Sequence, residues 1–452
     1  ITLIRHMDRQ MKLTQWIIWL SGLLALPSFA DTDVYLTNNS DQPLTIQVTH
    51  EGSDLLEYGE EWKQHVQVLG PWETKSFLSF NRWEGVRTGQ QYRFETVVSN
   101  PLGESITLKQ VMDGHWYNST IKYGVSAADV VLALKEDRNI HRSATDAFGT
   151  RTTELAFKSD KTARYDDLYY TITPNKVDKT ADDNEQHLKL VTYNIWALPA
   201  VASHIGDRYE LIPEYVKGYD VVALQEVFAD GREAFLRELA KEYPYQTKML
   251  DKDGFNIHDG GVTIVSRYPI VNQAQYVFPD CSSTDCFADK GINYAEIIKG
   301  GQAYHVFATH AASSDTDIAR EHRQRQFKQM RAMAKSLNIP ANETVVYSGD
   351  FNVNKLKFPG DYQQMIANLS AVEPEYSGYT ASTFDPRINN FAGKALSGGD
   401  NVEYLDYVMV SSEYGVKSFN DNRVDVPRST AASLWKHYNL SDHFPVSTVL
   451  KP

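Results

Sequence analysis

The sequence predicts two successive domains, a small all-β sandwich and then a layered α/β domain. Three observations carry this expectation. The chain has 452 residues, 42% apolar and 12% aromatic, more than one compact core usually holds. Before about Ile172, short segments of alternating polarity are separated by Asn, Gly, Pro and Asp turns. After about Leu188, buried-looking apolar runs alternate with helical segments, the texture of a sheet covered by helices.

Residues 1–30 read as upstream sequence and an export signal. Met11-Lys12 gives a start and a positive end, Trp16 to Leu26 is almost wholly apolar, and Ser28-Phe29-Ala30 has the small-x-small form of a cleavage site. The apolar run is shorter than the ~20 residues that span a bilayer, so a secreted protein beginning at Asp31 is expected rather than an anchored one.

Residues 31–173 form the expected β-rich domain. Leu44 to His50, Thr74 to Phe80, Tyr92 to Val98, Ser105 to Val111 and Trp116 to Tyr123 favour strands, followed by Leu155 to Phe157 and Leu168 to Ile172. Trp62, Trp72, Trp83 and Trp116 are read first as core-packing residues, with the holding of a lipid or a surface as the alternative. Residues 174–187 (PNKVDKTADDNEQH) have many charges and no apolar period, as a linker should.

Residues 188–452 form the α/β domain. Leu188 to Tyr193, Val221 to Leu224, Val262 to Val265, Tyr304 to Thr309 and Val345 to Tyr347 are its expected strands, with helices over Gly231 to Glu242 and Asp317 to Ser336. The formal net charge of −13 repels a polyanionic backbone, which disfavours a nucleic-acid partner. Cys281 and Cys286 are expected to pair in a small-loop disulfide; the alternative, a zinc site, has only Asp280, Asp285 and Asp289 nearby, which suit harder cations.

Polar clusters fall at the ends of the apolar runs, where an α/β sheet gathers a site. They are Thr192-Tyr193-Asn194-Ile195-Trp196, Ala223-Leu224-Gln225-Glu226-Val227, Ala308-Thr309-His310, Ser348-Gly349-Asp350-Phe351-Asn352, Leu405-Asp406-Tyr407 and Ser441-Asp442-His443-Phe444-Pro445. An acid straight after Val-Val-Ala-Leu is costly to bury without a cation or a partner. Taken singly, any of these clusters is more often a turn or a cap than a site. The six together, in this order, resemble the endonuclease/exonuclease/phosphatase superfamily. Within it the chain is similar to bacterial neutral sphingomyelinases, through Tyr-Asn-Ile-Trp-Ala-Leu-Pro at 193–199, Asp-Gly-Gly-Val-Thr-Ile-Val-Ser at 259–266, Asp-Lys-Gly at 289–291 and Thr-His-Ala-Ala-Ser-Ser-Asp at 309–315.

The resemblance implies a DNase I-like four-layer α/β sandwich and a secreted phosphodiesterase that hydrolyses sphingomyelin to ceramide and phosphocholine. It implies Mg²⁺ as cofactor, with Mn²⁺ or Co²⁺ as alternatives. Glu226 would hold the cation, with Asn194 alongside and Asp442 reaching it through water. His443, oriented by Asp406, would be the base, Asp350 would place the attacking water, and His310 and Asn352 would stabilise the phosphoryl oxygens. Asp230 and Asp259 fall at the position of a peripheral cation site in those enzymes, with His258 where an acid is expected. Trp435 and Tyr438, beside Lys436 in the stretch Val426 to Asn439, fall where those enzymes carry an exposed aromatic hairpin that docks on membrane, with packing as the equal alternative. A sphingomyelin-containing surface is the expected partner, and a monomer the expected state. A secreted deoxyribonuclease or another phospholipid phosphodiesterase is the competing reading, and a non-catalytic surface-binding protein the last. Arg320 to Arg325 reads as a solvated helix face, and His204, His305, His322 and His437 as structural or surface residues.

Overall fold

The structure is a computed structural model and describes residues 31–51, 62–131, 133–162, 165–176, 182–251, 259–281, 283–393, 400–415 and 420–451. The expected export segment, His258 and part of the linker lie outside the described residues. The chain divides into two compact units, Ile1–Lys176 and Val177–Pro452.

The first unit consists of two six-stranded sheets. One is ordered His141–Thr145, Thr153–Lys161, Asp166–Pro174, Asp31–Asn38, Thr74–Asn81 and Trp62–Gln64. The other is ordered Val68–Leu69, Leu44–Glu51, Gln91–Ser99, Ser105–Gly114, Ser119–Ala127 and Val130–Val131. Alternation along Gln91–Ser99 buries Tyr92, Phe94 and Val98, and Phe80 stacks on Phe94 with ring centroids 4.6 Å apart. Asp31–Asn38 was not expected as a strand; it runs parallel to Asp166–Pro174 and antiparallel to Thr74–Asn81, a placement set entirely by distant partners. Trp116 was expected inside a strand and instead lies on the turn between Gly114 and Ser119, closed by His115 N–H donating to Asn118 O at 2.8 Å. Trp72 is buried and Trp62 packs on the core, whereas Trp83 and Trp116 are 53% and 81% exposed. Core packing therefore accounts for two of the four tryptophans and not for the other two.

The second unit stacks helix, sheet, sheet and helix, the four-layer arrangement expected. Its first sheet is ordered Tyr245–Gln246, Thr263–Ser266, Val221–Gln225, Leu188–Asn194, Val446–Leu450, Asp421–Val424 and Glu375–Gly378. The other is ordered Ile270–Val277, Gly291–Lys299, Gln302–His310, Thr344–Asp350, Asp406–Ser411 and Ala371–Val372. Their central strands are buried along their whole length, because each lies between the facing sheet and a helix layer. Helices Ile205–Tyr215 and Arg232–Leu239 cover the first sheet through Tyr209, Ile212, Phe235 and Leu239. Asp317–Ser336 and Pro359–Leu369 cover the second, through Phe327 against Phe351 and Tyr362 against Tyr407. Asp317–Ser336 occupies the span expected, and the Thr316 side chain caps it by accepting from Ala319 N–H at 3.3 Å. No described helix is long and apolar enough to cross a membrane.

Gly349 shows why glycine precedes Asp350. Its φ is 140°, and a Cβ placed there would lie 1.9 Å from Thr309 O on the neighbouring strand. Gly349→Ala is therefore expected to lower the unfolding free energy by about 3 kcal/mol, read as a drop in Tm by calorimetry. An unchanged Tm would show that the strands do not approach this closely.

Candidate active site

Strand register brings the predicted residues together. In the second sheet His310 is paired with Asp350, and Asp350 with Asp406, so three functional side chains stand abreast at one end of three adjacent strands. In the first sheet Asn194 pairs with Gln225, which places Glu226 next to it, and Asp442 and His443 sit on the turn leading into Val446–Leu450 at the same end. The two sheets face each other, and the six clusters meet where these ends coincide.

Asp350 is the common neighbour. Asn194 Nδ2 donates to its Oδ2 at 3.1 Å, with His310 Nε2 at 3.5 Å and His443 Nε2 at 3.7 Å from the same oxygen. Its Oδ1 accepts from Asn352 N–H at 3.0 Å. Asn194 Nδ2 also donates to Glu226 Oε1 at 3.0 Å, while its Oδ1 accepts from Trp196 N–H at 3.0 Å. Asn194 thus gives both carboxylates its amide N–H and orients Glu226. His443 Nδ1 lies 2.9 Å from Asp406 Oδ2, an arrangement that fixes the ring and leaves Nε2 toward Asp350. Glu226, Asn352 and Trp196 hold left-handed φ angles of 59°, 53° and 49°, a backbone cost that non-glycine residues meet mainly where a site dictates it.

Burial raises the Asp442 carboxyl to about 7, helped by the charge of Glu226. It raises Asp406 to about 6 against the opposing charge of His443. Burial acts the same way on Asp350, but His443, His310, Lys290 and the Asn194 hydrogen bond outweigh it and hold Asp350 below its usual range. His310 is pushed down by burial and by Lys290, which keeps the ring neutral. On His443, burial is overcome by Asp406, Asp350 and Asp442, so the imidazole is held well above its ordinary value. The cluster carries more negative charge than its own cations balance. Oε2 of Glu226 and Oδ1 of Asp406 are buried and meet no hydrogen-bond donor among the described residues. Hard oxygen donors in excess, one of them unsatisfied and bordering a cavity, fit a divalent cation such as Mg²⁺.

The cavity over the cluster measures about 770 Å³. Glu226, His310, Asp350, Asn352, Asp442 and His443 supply its polar wall, and Trp196, Leu198, Pro199, Val201, Phe228 and Phe287 an apolar one. Lys290 also lines it, its Nζ donating to Ala311 O at 2.7 Å and lying 3.2 Å from Asp285 Oδ1. The Cys281–Cys286 disulfide is present and closes the loop that carries Asp285, with Phe287 directly after it.

Two further residues matter here that the sequence reading passed over. Lys290 lay inside a matched motif, but nothing local indicated that its ammonium would face the cavity. Arg208 is buried in helix Ile205–Tyr215 and donates to Trp196 O at 2.7 Å, Ser203 O at 3.0 Å and Leu440 O at 3.2 Å, and also to Ile195 O. It ties the loop after Asn194 to the turn before Asp442, and its signal in sequence is only an Arg on an apolar helix face.

Other expectations need correction. Trp435 and Tyr438 do not form an exposed membrane tip: they are 6% and 1% exposed, with ring centroids 5.6 Å apart. The segment folds back, Ser429 N–H donating to Tyr438 O at 2.8 Å, which turns both rings inward. Asp259 is held by Arg232 at 2.5 Å, so a peripheral cation there would have to displace an ion pair, and Asp230 is exposed. The basic run on Asp317–Ser336 is not a wholly solvated face, because Arg323 is buried and donates to Ala312 O at 3.1 Å. His305 is structural as expected, placed between the Tyr294 hydroxyl at 2.8 Å and Glu343 at 2.6 Å.

Residues 191–443 match the Endonuclease/Exonuclease/phosphatase family. A sphingomyelinase C of Bacillus cereus is 34% identical over 304 residues, which is 60% of this chain and 91% of that protein. A crystal structure of a beta toxin variant from Staphylococcus aureus with bound magnesium ions superimposes with a TM-score of 0.54 at 32% identity, covering 59% of this chain and 99% of that one. Sphingomyelinase C from Streptomyces griseocarneus gives a TM-score of 0.53 at 30% identity, over 59% of this chain and 99% of that one. The family match begins after the first unit ends.

Arg208→Met should leave buried carbonyls unsatisfied and cost about 3 kcal/mol in urea unfolding, with a weakened site as the consequence. A loss below about 1 kcal/mol would show that Arg208 does not brace these loops.

Proposed function

The chain belongs to the Endonuclease/Exonuclease/phosphatase family, and we propose that it is an exported, Mg²⁺-dependent phosphodiesterase that hydrolyses sphingomyelin to ceramide and phosphocholine. The observation that carries this reading is the His443–Asp406 pair, at 2.9 Å, aimed at a cavity floor where Glu226 has an unsatisfied oxygen. Relatives named sphingomyelinase C and the apolar cavity wall favour a lipid diester. The net charge of −13 argues against a nucleic-acid backbone.

In this reading Glu226, oriented by Asn194, would hold the cation, and Asp442 would assist it through water. The cation, when bound, counters charge on the phosphoryl and leaving oxygens and offsets the surrounding carboxylates. Mn²⁺ and Co²⁺ are candidate substitutes for it. With a bound cation offsetting the carboxylates that raise it, His443 would be neutral and its Nε2 would take the proton of the attacking water, Asp406 holding the ring in the tautomer that accepts it. Asp350 positions that water. Neutral His310 and the Asn352 amide donate hydrogen bonds to the phosphoryl oxygens, and Lys290 adds positive charge at the same wall. As the new P–O bond forms, the bond to the ceramide oxygen breaks and that alkoxide takes a proton from water in the cavity, the proton held on His443 returning to solvent. Secretion follows the export reading of the first thirty residues.

The test is phosphocholine release from sphingomyelin liposomes with and without Mg²⁺, beside phosphatidylcholine liposomes and duplex DNA. Mg²⁺-dependent release from sphingomyelin is expected. Glu226→Gln and His443→Ala should each lower it by about 10³-fold or more, the second with cation binding retained. DNA cleavage with inert liposomes would transfer the function to a nuclease, and full activity in either variant would remove that residue's role.

A further inference from the structure

We propose that the first unit carries a lipid-docking end, formed by Trp83, Trp116 and Tyr117, that seats in the interfacial zone of a zwitterionic bilayer. Choosing a bilayer as occupant rests on the reading that the substrate is a membrane lipid.

Trp83, Trp116 and Tyr117 are exposed by 53%, 81% and 56%. Large aromatic rings so exposed, on a unit whose other described aromatics are buried or half-buried, mark a surface rather than a packing accident. They sit on two turns at one end of the sandwich, residues 82–90 leading into Gln91–Ser99 and residues 115–118 joining Ser105–Gly114 to Ser119–Ala127. The turns are built as one piece. Gly89 N–H donates to Gly114 O, and Gly114 N–H to Gln90 O, each at 2.9 Å. A Cβ on Gly114 would lie 2.2 Å from Arg87 O, so only glycine permits this approach. Buried Arg82 donates from Nε to Ser119 Oγ at 2.9 Å and from Nη2 to Ser119 O at 2.8 Å, and Asn81 Oδ1 accepts from Trp83 N–H at 2.8 Å.

Ring chemistry and charge choose the occupant. Trp and Tyr pair an apolar body with a polar tip, the combination that favours the membrane–water boundary. The exposed charges of the two turns are Glu84 and Arg87, one of each sign, so the end neither repels a zwitterionic headgroup layer nor attracts a polyanion. In the second unit Trp435 and Tyr438 are turned inward and offer no such tip.

The experiment is flotation of the full chain with phosphatidylcholine vesicles, with and without sphingomyelin, comparing wild type with the combined variant Trp83→Ala, Trp116→Ala, Tyr117→Ala. Loss of the three rings should lower the partition coefficient by at least about tenfold. Turnover of a soluble short-chain sphingomyelin should stay unchanged, which guards against misfolding. A variant with Phe at all three positions should restore most of the partition. Equal flotation of wild type and Ala variant overturns the proposal, as does glycan-array binding that is lost in the variant while flotation persists. Flotation needs no turnover, so the two readings fail separately: wild type that floats but leaves sphingomyelin intact refutes the activity alone, and hydrolysis with equal flotation refutes the docking end alone.

Discussion

One buried carboxylate, Asp350, organises the second unit. It receives the Asn194 amide from the facing sheet, His310 from the neighbouring parallel strand, and His443 from the turn before the last strand, within 3.1–3.7 Å of a single oxygen. A buried carboxylate without such partners would be prohibitively costly. Once the sheets face each other, this constraint fixes their common end, because no slipped register keeps these groups together.

The same concentration of charge explains the strain around it. Glu226 and Asn352 hold left-handed backbone to reach the cluster, Gly349 lies against Thr309 O, and Arg208 braces the two loops that a sheet cannot hold by itself. The polar groups left unsatisfied at the cavity, Glu226 Oε2 and Asp406 Oδ1, belong to the cluster that would hold the cation or steer the base. Local cost is therefore concentrated where the chemistry is proposed, as expected for a preorganised site.

Much of this was legible in the sequence. Polar residues that end apolar runs are local signals, and Asn194, Glu226, His310, Asp350, Asp406 and His443 were all found that way and are brought together. The helix Asp317–Ser336 was legible because capping and apolar spacing agreed. What escaped depended on distant partners. Asp31–Asn38 is a strand only because Asp166–Pro174 and Thr74–Asn81 lie on either side of it. Lys290 and Arg208 act through carbonyls far along the chain. Aromatic identity does not specify direction, so docking and packing stood as equal readings of Trp435 and Tyr438, which face inward, and Trp116, expected in a strand, projects from a turn.

The second unit thus gathers the charged cluster, while the first presents the exposed rings of Trp83, Trp116 and Tyr117. The central claim is that the carboxylate cluster is built for a divalent cation held by Glu226. Calorimetric titration of Mg²⁺ into the full chain and into its Glu226→Gln form tests it most directly. Saturable binding in the wild type that is lost in the variant is the predicted result, and equal binding by both would contradict the account.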